Sequence, residues 1–445
     1  MKAFCIAAKS KHARYTMQTL RYGSSGTSVK ILQLALTRAN FSPGEIDGRF
    51  GPRTQSAVMR FQAASGLAPD GVVGKNTWAA LIPFLKGYTW HTIRQGDTYS
   101  GLARLYGTTA EAIARANGGL RADNLMLGTS IIIPFGFDVV PTNVPYTSEL
   151  LDYIVDGLQV RYPYIRTGSI GRSVMGRPLY LLTMGTGATK VAYNASHHAN
   201  EWITTPVLLK FMEDYAKLYS TGGTLYDYDV NDLYENVTLY MVPMVNPDGV
   251  DLVNGAIPSG DPYYQSARAI SNRYPSVPFA SGWKANIEGT DLNLNYPAGW
   301  EEAKKIKYAL GFTSPAPRDF VGGAPLSAPE SRAMYDFTIQ KEPALTLSYH
   351  SQGKVIYWKY LDYEPEGSYA IAQEFGRVSG YSVEVTPAAS GYAGYKDWFI
   401  QQFNRPGYTI EVGIGENPLP LSQFEEIYRD NMGILTLGMA LVGVG

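Results

Sequence analysis

The sequence predicts three domains. These are a small all-α bundle over 20–86, a small β-α-α-β module over 89–135, and a large α/β domain over 148–445 whose mixed sheet is flanked by helices. Three observations lead there. The chain has 445 residues, and at roughly 100–200 residues per domain that means about three. An eight-residue pattern near the N-terminus recurs at an offset of 70 − 47 = 23 residues. The remainder alternates strand-like apolar runs with helical stretches, the pattern of an α/β sheet. A hydrophobic share of 45% and a charged share of 17% suit a globular chain and exclude wholesale disorder.

In the first section, Asp47-Gly48-Arg49-Phe50-Gly51-Pro52-Arg53-Thr54 is echoed by Asp70-Gly71-Val72-Val73-Gly74-Lys75-Asn76-Thr77. Each copy is an Asp-Gly turn, a second glycine and a helix start, with Pro52 where a first helical residue needs no N–H. Apolar stripes follow at Ala57, Val58 and Phe61, then at Trp78, Leu81 and Ile82; Val29, Leu32, Leu34 and Leu36 fit a further helix. This module resembles the peptidoglycan-binding helical domain of wall-lytic enzymes. The second section reads as a strand Thr89–Ile93, a helix Tyr99–Leu105 ended by Gly107, and a second helix to Ala116 opened by Thr108 with Glu111 as a capping box; Ile131–Pro134 is the closing strand. It resembles the LysM module, which implies a glycan partner containing N-acetylglucosamine. His91 belongs to the strand edge and is not expected to be a ligand. Phe135–Thr147, with Pro141, Asn143 and Pro145, reads as a linker.

Composition narrows the chemistry. Lys+Arg number 38 and Asp+Glu 39, for a net charge of −1, so there is no basic excess to grip nucleic acid. The single cysteine, Cys5, excludes an intramolecular disulfide and a cysteine zinc cluster. Any metal site must draw on carboxylates and on His12, His91, His197, His198 and His350. Tyrosine, at 33 against 16 phenylalanines, hints at sugar or peptide contact. The late apolar run Gly433–Gly445 holds 13 residues, short of the roughly 20 of a membrane span; it reads as a closing core helix. The stretch Ala3–Ala8 is too short for a secretory signal. The expectation is therefore a protein made without a signal, or one with a different start.

In the large domain, strand-like runs at Val191–Ser196, Val237–Val245, Ala344–Tyr349 and Tyr408–Val412 alternate with helical stretches at Thr204–Leu218, Ala328–Gln340 and Ser422–Leu441. Ser196-His197-His198-Ala199-Asn200-Glu201-Trp202 lies between a strand and a helix. There, His198 and Glu201 can converge on one ion, and catalytic zinc sites take three protein ligands and keep a position for water. Taken alone, the pair also fits a helix N-terminus with a favourable early carboxylate. His350 ends another apolar strand, 149 residues after Glu201.

Three further segments complete a pattern: Asn246-Pro247-Asp248-Gly249, Asp291-Leu292-Asn293-Leu294-Asn295, and Thr409-Ile410-Glu411. In this order the set resembles the zinc carboxypeptidase family of the carboxypeptidase A type, over about 150–440. The resemblance implies one zinc per chain, held by His198, Glu201 and His350, with His197 packed beside the site. It implies Glu411 as the group that moves the proton, and Lys284, after Trp283, in the place of an oxyanion-stabilising arginine. It also implies Asn293 as a substrate contact.

Two departures bear on substrate. Leu294 replaces the arginine that clamps a terminal carboxylate, a contact worth about 1.5–3 kcal/mol. The mobile-tyrosine position falls at Thr386-Pro387-Ala388, leaving Tyr392 and Tyr395 as nearby candidates. In Tyr395-Lys396-Asp397-Trp398, Lys396 takes the family's specificity-pocket position, suited to a substrate carboxylate. With the wall-binding modules, this resembles the γ-D-glutamyl-meso-diaminopimelate peptidases of spore-forming bacteria. The implied partners are peptidoglycan glycan and stem peptides, and the implied place is the cytoplasm, the sporulating cell or the cell wall. The alternatives are a broad wall-tethered carboxypeptidase, an inactive peptidoglycan-binding protein, and a desuccinylase-type deacylase.

Overall fold

The computed structural model describes residues 18–119 and 125–443. Cys5, His12 and the N-terminal apolar stretch lie outside them. The chain divides into two compact units: residues up to Pro145 with Glu149–Ile165, and Tyr146–Ser148 with Arg166 onward.

The first unit opens with helices Thr27–Arg38, Pro52–Ala64 and Lys75–Lys86, which bury Val29, Leu32, Leu36, Ala57, Val58, Phe61, Trp78 and Leu81. Pro52 is the first residue of its helix. The repeat is held by two matching networks. Gln33 Nε2 donates to Asp47 Oδ1 at 2.9 Å, and Gly48 N donates back to Gln33 Oε1 at 2.9 Å. In the second copy, Gln62 Nε2 donates to Asp70 Oδ1 at 2.8 Å, and Gly71 N to Gln62 Oε1 at 2.9 Å. Thr54 and Thr77 receive the same glutamines at 3.2 and 3.1 Å. A buried amide must meet its partners, and here each does.

Strands β1 (Tyr88–Thr92) and β2 (Ser130–Pro134) pair antiparallel around helices Tyr99–Tyr106 and Ala110–Ala116. The second helix is capped by Thr109, whose hydroxyl accepts from Ala112 N at 3.1 Å, rather than by Thr108 as expected. His91 sits between the Tyr106 hydroxyl at 2.9 Å and Asp97 at 2.8 Å, so both ring nitrogens are occupied. Residues Glu149–Ile165 pack with this unit. Arg161 donates to Phe137 O at 2.6 Å, Tyr88 donates to Asp156 at 2.8 Å, and a Cβ on Gly157 would stand 2.0 Å from Lys86 O.

The second unit is built on an eight-stranded mixed sheet. Its strands are β3 (Arg166–Arg172), β4 (Pro178–Met184), β5 (Thr189–Ala195), β8 (Val237–Val242), β9 (Leu345–His350), β10 (Val355–Tyr357), β11 (Ser382–Glu384) and β12 (Gly407–Glu411); β6 (Thr224–Leu225) and β7 (Tyr228–Asp229) form a separate ribbon. The order is β11-β10-β12-β9-β5-β8-β4-β3. The central strands β12, β9, β5 and β8 are mutually parallel, and these are the four that the apolar runs predict. Helices cover both faces. Ala192 packs with Met334, Phe337 and Trp398, whereas the next residue, Tyr193, donates to Leu435 O at 2.8 Å. Alternate residues of a strand point to opposite faces. The closing helix is Phe424–Gly443, and no helix among the described residues is long and apolar enough to cross a membrane.

Gln33→Ala and Gln62→Ala should each destabilise the helical module by about 1–3 kcal/mol, because each leaves a buried glycine N–H, of Gly48 or Gly71, without its acceptor. Denaturant unfolding followed by far-UV circular dichroism checks this, and the matched networks predict similar costs.

Candidate active site

Open α/β sheets gather their sites beyond the carboxyl ends of their parallel strands. Here β5, β9 and β12 end side by side. Glu411 pairs in register with His350, and Ala195 with Tyr349. After β5 the chain turns at Ser196, which adopts φ 54°, and His198 then precedes a single 3-10 turn, Ala199–Glu201. This turn carries Glu201 back toward the strand ends.

His198, Glu201 and His350 present ligand atoms within 4.8 Å of one another. His198 Nδ1 and His350 Nδ1 stand 3.0 Å from opposite oxygens of Glu201 and 3.2 Å from each other. Two imidazole nitrogens and a carboxylate turned onto one point form a donor set that fits zinc. His198 Nε2 lies 3.1 Å from Asp291 Oδ1; with the proton on Nε2, its Nδ1 lone pair faces the centre. Glu201 is almost fully buried and also receives Lys284 Nζ at 2.8 Å and Ser351 N at 3.1 Å. Asn417 braces that loop by donating to Ser351 O at 2.7 Å. Neither Ser351 nor Asn417 carries a sequence signal.

The remaining motif residues hold this arrangement. Asn246 Nδ2 donates to His197 O at 3.1 Å and Ala285 O at 3.0 Å, while its Oδ1 accepts from Gly249 N at 3.0 Å. A Cβ on Gly249 would meet Ala199 Cβ at 2.7 Å, so only glycine fits. Asn295 Nδ2 donates to Val321 O at 2.8 Å. His197 is fully buried, bonds the Tyr296 hydroxyl at 3.0 Å and stacks on His350 at 5.8 Å; burial and the two neighbouring histidines hold it neutral.

A cleft of about 220 Å³ opens over the cluster, lined by His198, Lys284, Asn293, Leu294, Lys396 and Glu411 among others. Burial and the nearby Glu201 charge push Glu411 up to about 8, against the pull of Lys284 and His198. Leu294 packs with Trp300, Ala303, Val321 and Ala393, so the arginine position is an apolar wall. Thr386 and Pro387 line the cleft at the mobile-tyrosine position. The two tyrosines expected as substrate contacts are placed otherwise. Tyr395 is fully buried, with its hydroxyl 2.9 Å from Thr338 Oγ1. Tyr392 packs against Gly299 and the Leu294 cluster, and neither is among the cleft-lining residues. Tyr395 is the first residue of the helix Tyr395–Phe403, which turns it into the core, and Tyr392, three residues earlier, is partly buried. Lys396 does line the cleft, but its ammonium pairs with Asp397 at 2.6 Å and donates to Lys359 O at 2.7 Å.

This fold and donor set define a zinc metallopeptidase, and the chain belongs to the zinc carboxypeptidase family, whose model matches residues 151–433. A putative peptidoglycan-binding domain matches 25–81 and a LysM domain 91–134. The chain is 43% identical over 299 residues to gamma-D-glutamyl-L-diamino acid endopeptidase 1 of Lysinibacillus sphaericus, covering 67% of this chain and 73% of that protein. It is likewise 43% identical over 277 residues to the uncharacterized protein YqgT of Bacillus subtilis (strain 168), covering 62% of this chain and 72% of that one. The fold matches the crystal structure of thrombin activatable fibrinolysis inhibitor with a TM-score of 0.53 at 18% identity, over 68% of this chain and 78% of that chain.

Metal analysis after dialysis against zinc should find one ion per chain. Asp291→Ala should weaken zinc affinity by about 10–100-fold, since it removes the acceptor that orients His198. Competition with a chromogenic chelator measures that change.

Proposed function

We propose that the protein hydrolyses the amide between the γ-carboxyl of D-Glu and a diamino acid, meso-diaminopimelate, in peptidoglycan stem peptides. The observation that carries this reading is the apolar wall at Leu294. A carboxypeptidase needs a guanidinium there to hold a terminal carboxylate, and Leu294 instead closes a cluster with Trp300 and Val321. The two wall-binding modules and the 43% identity to an endopeptidase named for this bond support it. The same modules support action at or near wall peptides.

His198, Glu201 and His350 would hold the zinc. Bound there, zinc supplies Lewis acidity and lowers the pKa of water toward about 7. Glu411, at the end of β12 and facing the cleft, takes the attacking water's proton and passes it to the leaving amine. Lys284 is directed at Glu201 through one donor, and an ammonium has three, so two remain for the developing oxyanion. Asn293 faces the cleft while its Oδ1 accepts from Tyr395 N at 3.0 Å, leaving its amide N–H groups to the substrate. Water adds across the amide, giving the D-Glu γ-carboxylate and the free amine of the diamino acid.

The test is incubation of the zinc-loaded protein with L-Ala-γ-D-Glu-meso-diaminopimelate and mass spectrometry of the products. L-Ala-D-Glu plus free diaminopimelate is expected, with turnover reduced by about 10²–10⁴-fold in Glu411→Ala. Release of C-terminal residues from ordinary linear peptides, with the stem peptide intact, would overturn the reading.

The pH profile is a second check. The base must be deprotonated, so kcat/KM falls as pH drops through the Glu411 pKa. A bound cation lowers that value from about 8, so the acid limb should lie below pH 8. Glu411→Ala should lose that limb.

A further inference from the structure

The cleft carries four cations: Lys284, Lys307, Lys396 and Arg318. Three are matched at close range by carboxylates: Lys284 by Glu201 at 2.8 Å, Lys307 by Asp319 at 2.6 Å, and Lys396 by Asp397 at 2.6 Å. Arg318 differs. Its Nε donates to Asp319 at 2.6 Å, but that carboxylate is already shared with Lys307. A guanidinium has five N–H donors, and the two Nη groups of Arg318 meet no protein acceptor among the described residues. The side chain remains 43% exposed.

Arg318 is not at a remote rim. The preceding residue, Pro317, accepts through its carbonyl from Lys284 N at 2.8 Å and Ala285 N at 2.9 Å, which ties this segment to the oxyanion-side lysine. The guanidinium is near enough to Asp291 and Glu201 to interact with both charges. The result is a planar fork, anchored at Nε, on a partly exposed side chain that lines the cleft. The apolar wall at Leu294 lies in the same cleft.

We propose that Arg318 is the residue that recognises a substrate carboxylate beside the scissile amide. Guanidinium and carboxylate match in two parallel hydrogen bonds, and an arm already anchored loses less freedom on binding. The inference rests on the reading of the substrate as a γ-D-Glu amide. Such a bond is flanked by carboxylates on both sides: the α-carboxylate of D-Glu and those of the diamino acid. An ordinary internal peptide bond has none on its backbone. Moving the fork from the Leu294 position to Arg318 would convert recognition of a chain end into recognition of a branch carboxylate.

The experiment compares the zinc-loaded wild type, Arg318→Ala and Arg318→Lys on three substrates. These are L-Ala-γ-D-Glu-meso-diaminopimelate, its D-Glu α-carboxamide, and its diaminopimelate carboxamide. On the parent substrate Arg318→Ala should raise KM by about 10–100-fold with little change in kcat, the loss of one charge-assisted contact. On the amide that removes the recognised carboxylate, wild type and variant should be alike, and which amide shows this identifies the side. Arg318→Lys should recover KM only in part, for lack of a fork. An equal rise in KM on all three substrates, or none, overturns the proposal; an unchanged melting temperature excludes misfolding. Calorimetric binding of L-Ala-D-Glu and of diaminopimelate reads Arg318 independently of turnover. If the wild type cleaves none of the three, the substrate reading fails. Weaker binding of one product by Arg318→Ala would then still support carboxylate recognition, and equal binding would refute it.

Discussion

The burial of Glu201 constrains the rest of the second unit. A carboxylate removed from water must be paired or bound to a metal. Here the partners arrive from widely separated stretches: His198 three residues away, Lys284 from the loop before the Asp291 segment, and His350 with Ser351 from the end of β9. Each must be delivered to within about 3 Å, the reach of a hydrogen bond. The parallel core strands do this by ending at one level, and Asn246 and Asn295 pin the connecting loops by bonding backbone carbonyls. Much of the signature is therefore scaffolding for a single buried charge.

Around that charge, the cleft manages its own electrostatics. Its lysines are matched by aspartate or glutamate at short range, which limits repulsion among cations crowded into a small volume. Lys396 illustrates the consequence. Its place in the chain suggests a free pocket cation, but Asp397 and the Lys359 carbonyl already occupy two of its donors. A charge is available to a ligand only to the extent that the protein has not used it; Lys284 keeps two of its three donors, and Arg318 keeps both Nη groups.

The wall-binding unit follows the same logic in neutral form. Two buried glutamines each complete an Asp-Gly turn and reach the threonine of the following helix. The aspartates are 23 residues apart, but the glutamines are 62 − 33 = 29 apart, because the loops before the two turns differ in length. The repeat is thus visible at its turns and hidden at the residue that organises them.

By itself the sequence determined the elements whose signal is local or dense. Central strands buried on both faces read as continuous apolar runs, so β5, β8, β9 and β12 were legible. The ligand triad was legible through the resemblance of the ordered motifs to the zinc carboxypeptidase family, not from any one segment alone. The flanking strands were not: β10 and β11 have three residues each, and β3 contains Gly168 and Gly171 with much of its length exposed. Nor could sequence decide which way Tyr395 turns, or which residues Glu149–Ile165 pack against. Only the tertiary structure settled those points, along with the spent charge of Lys396 and the open fork of Arg318. Side-chain direction and charge pairing depend on neighbours distant in the chain, and no local pattern records them.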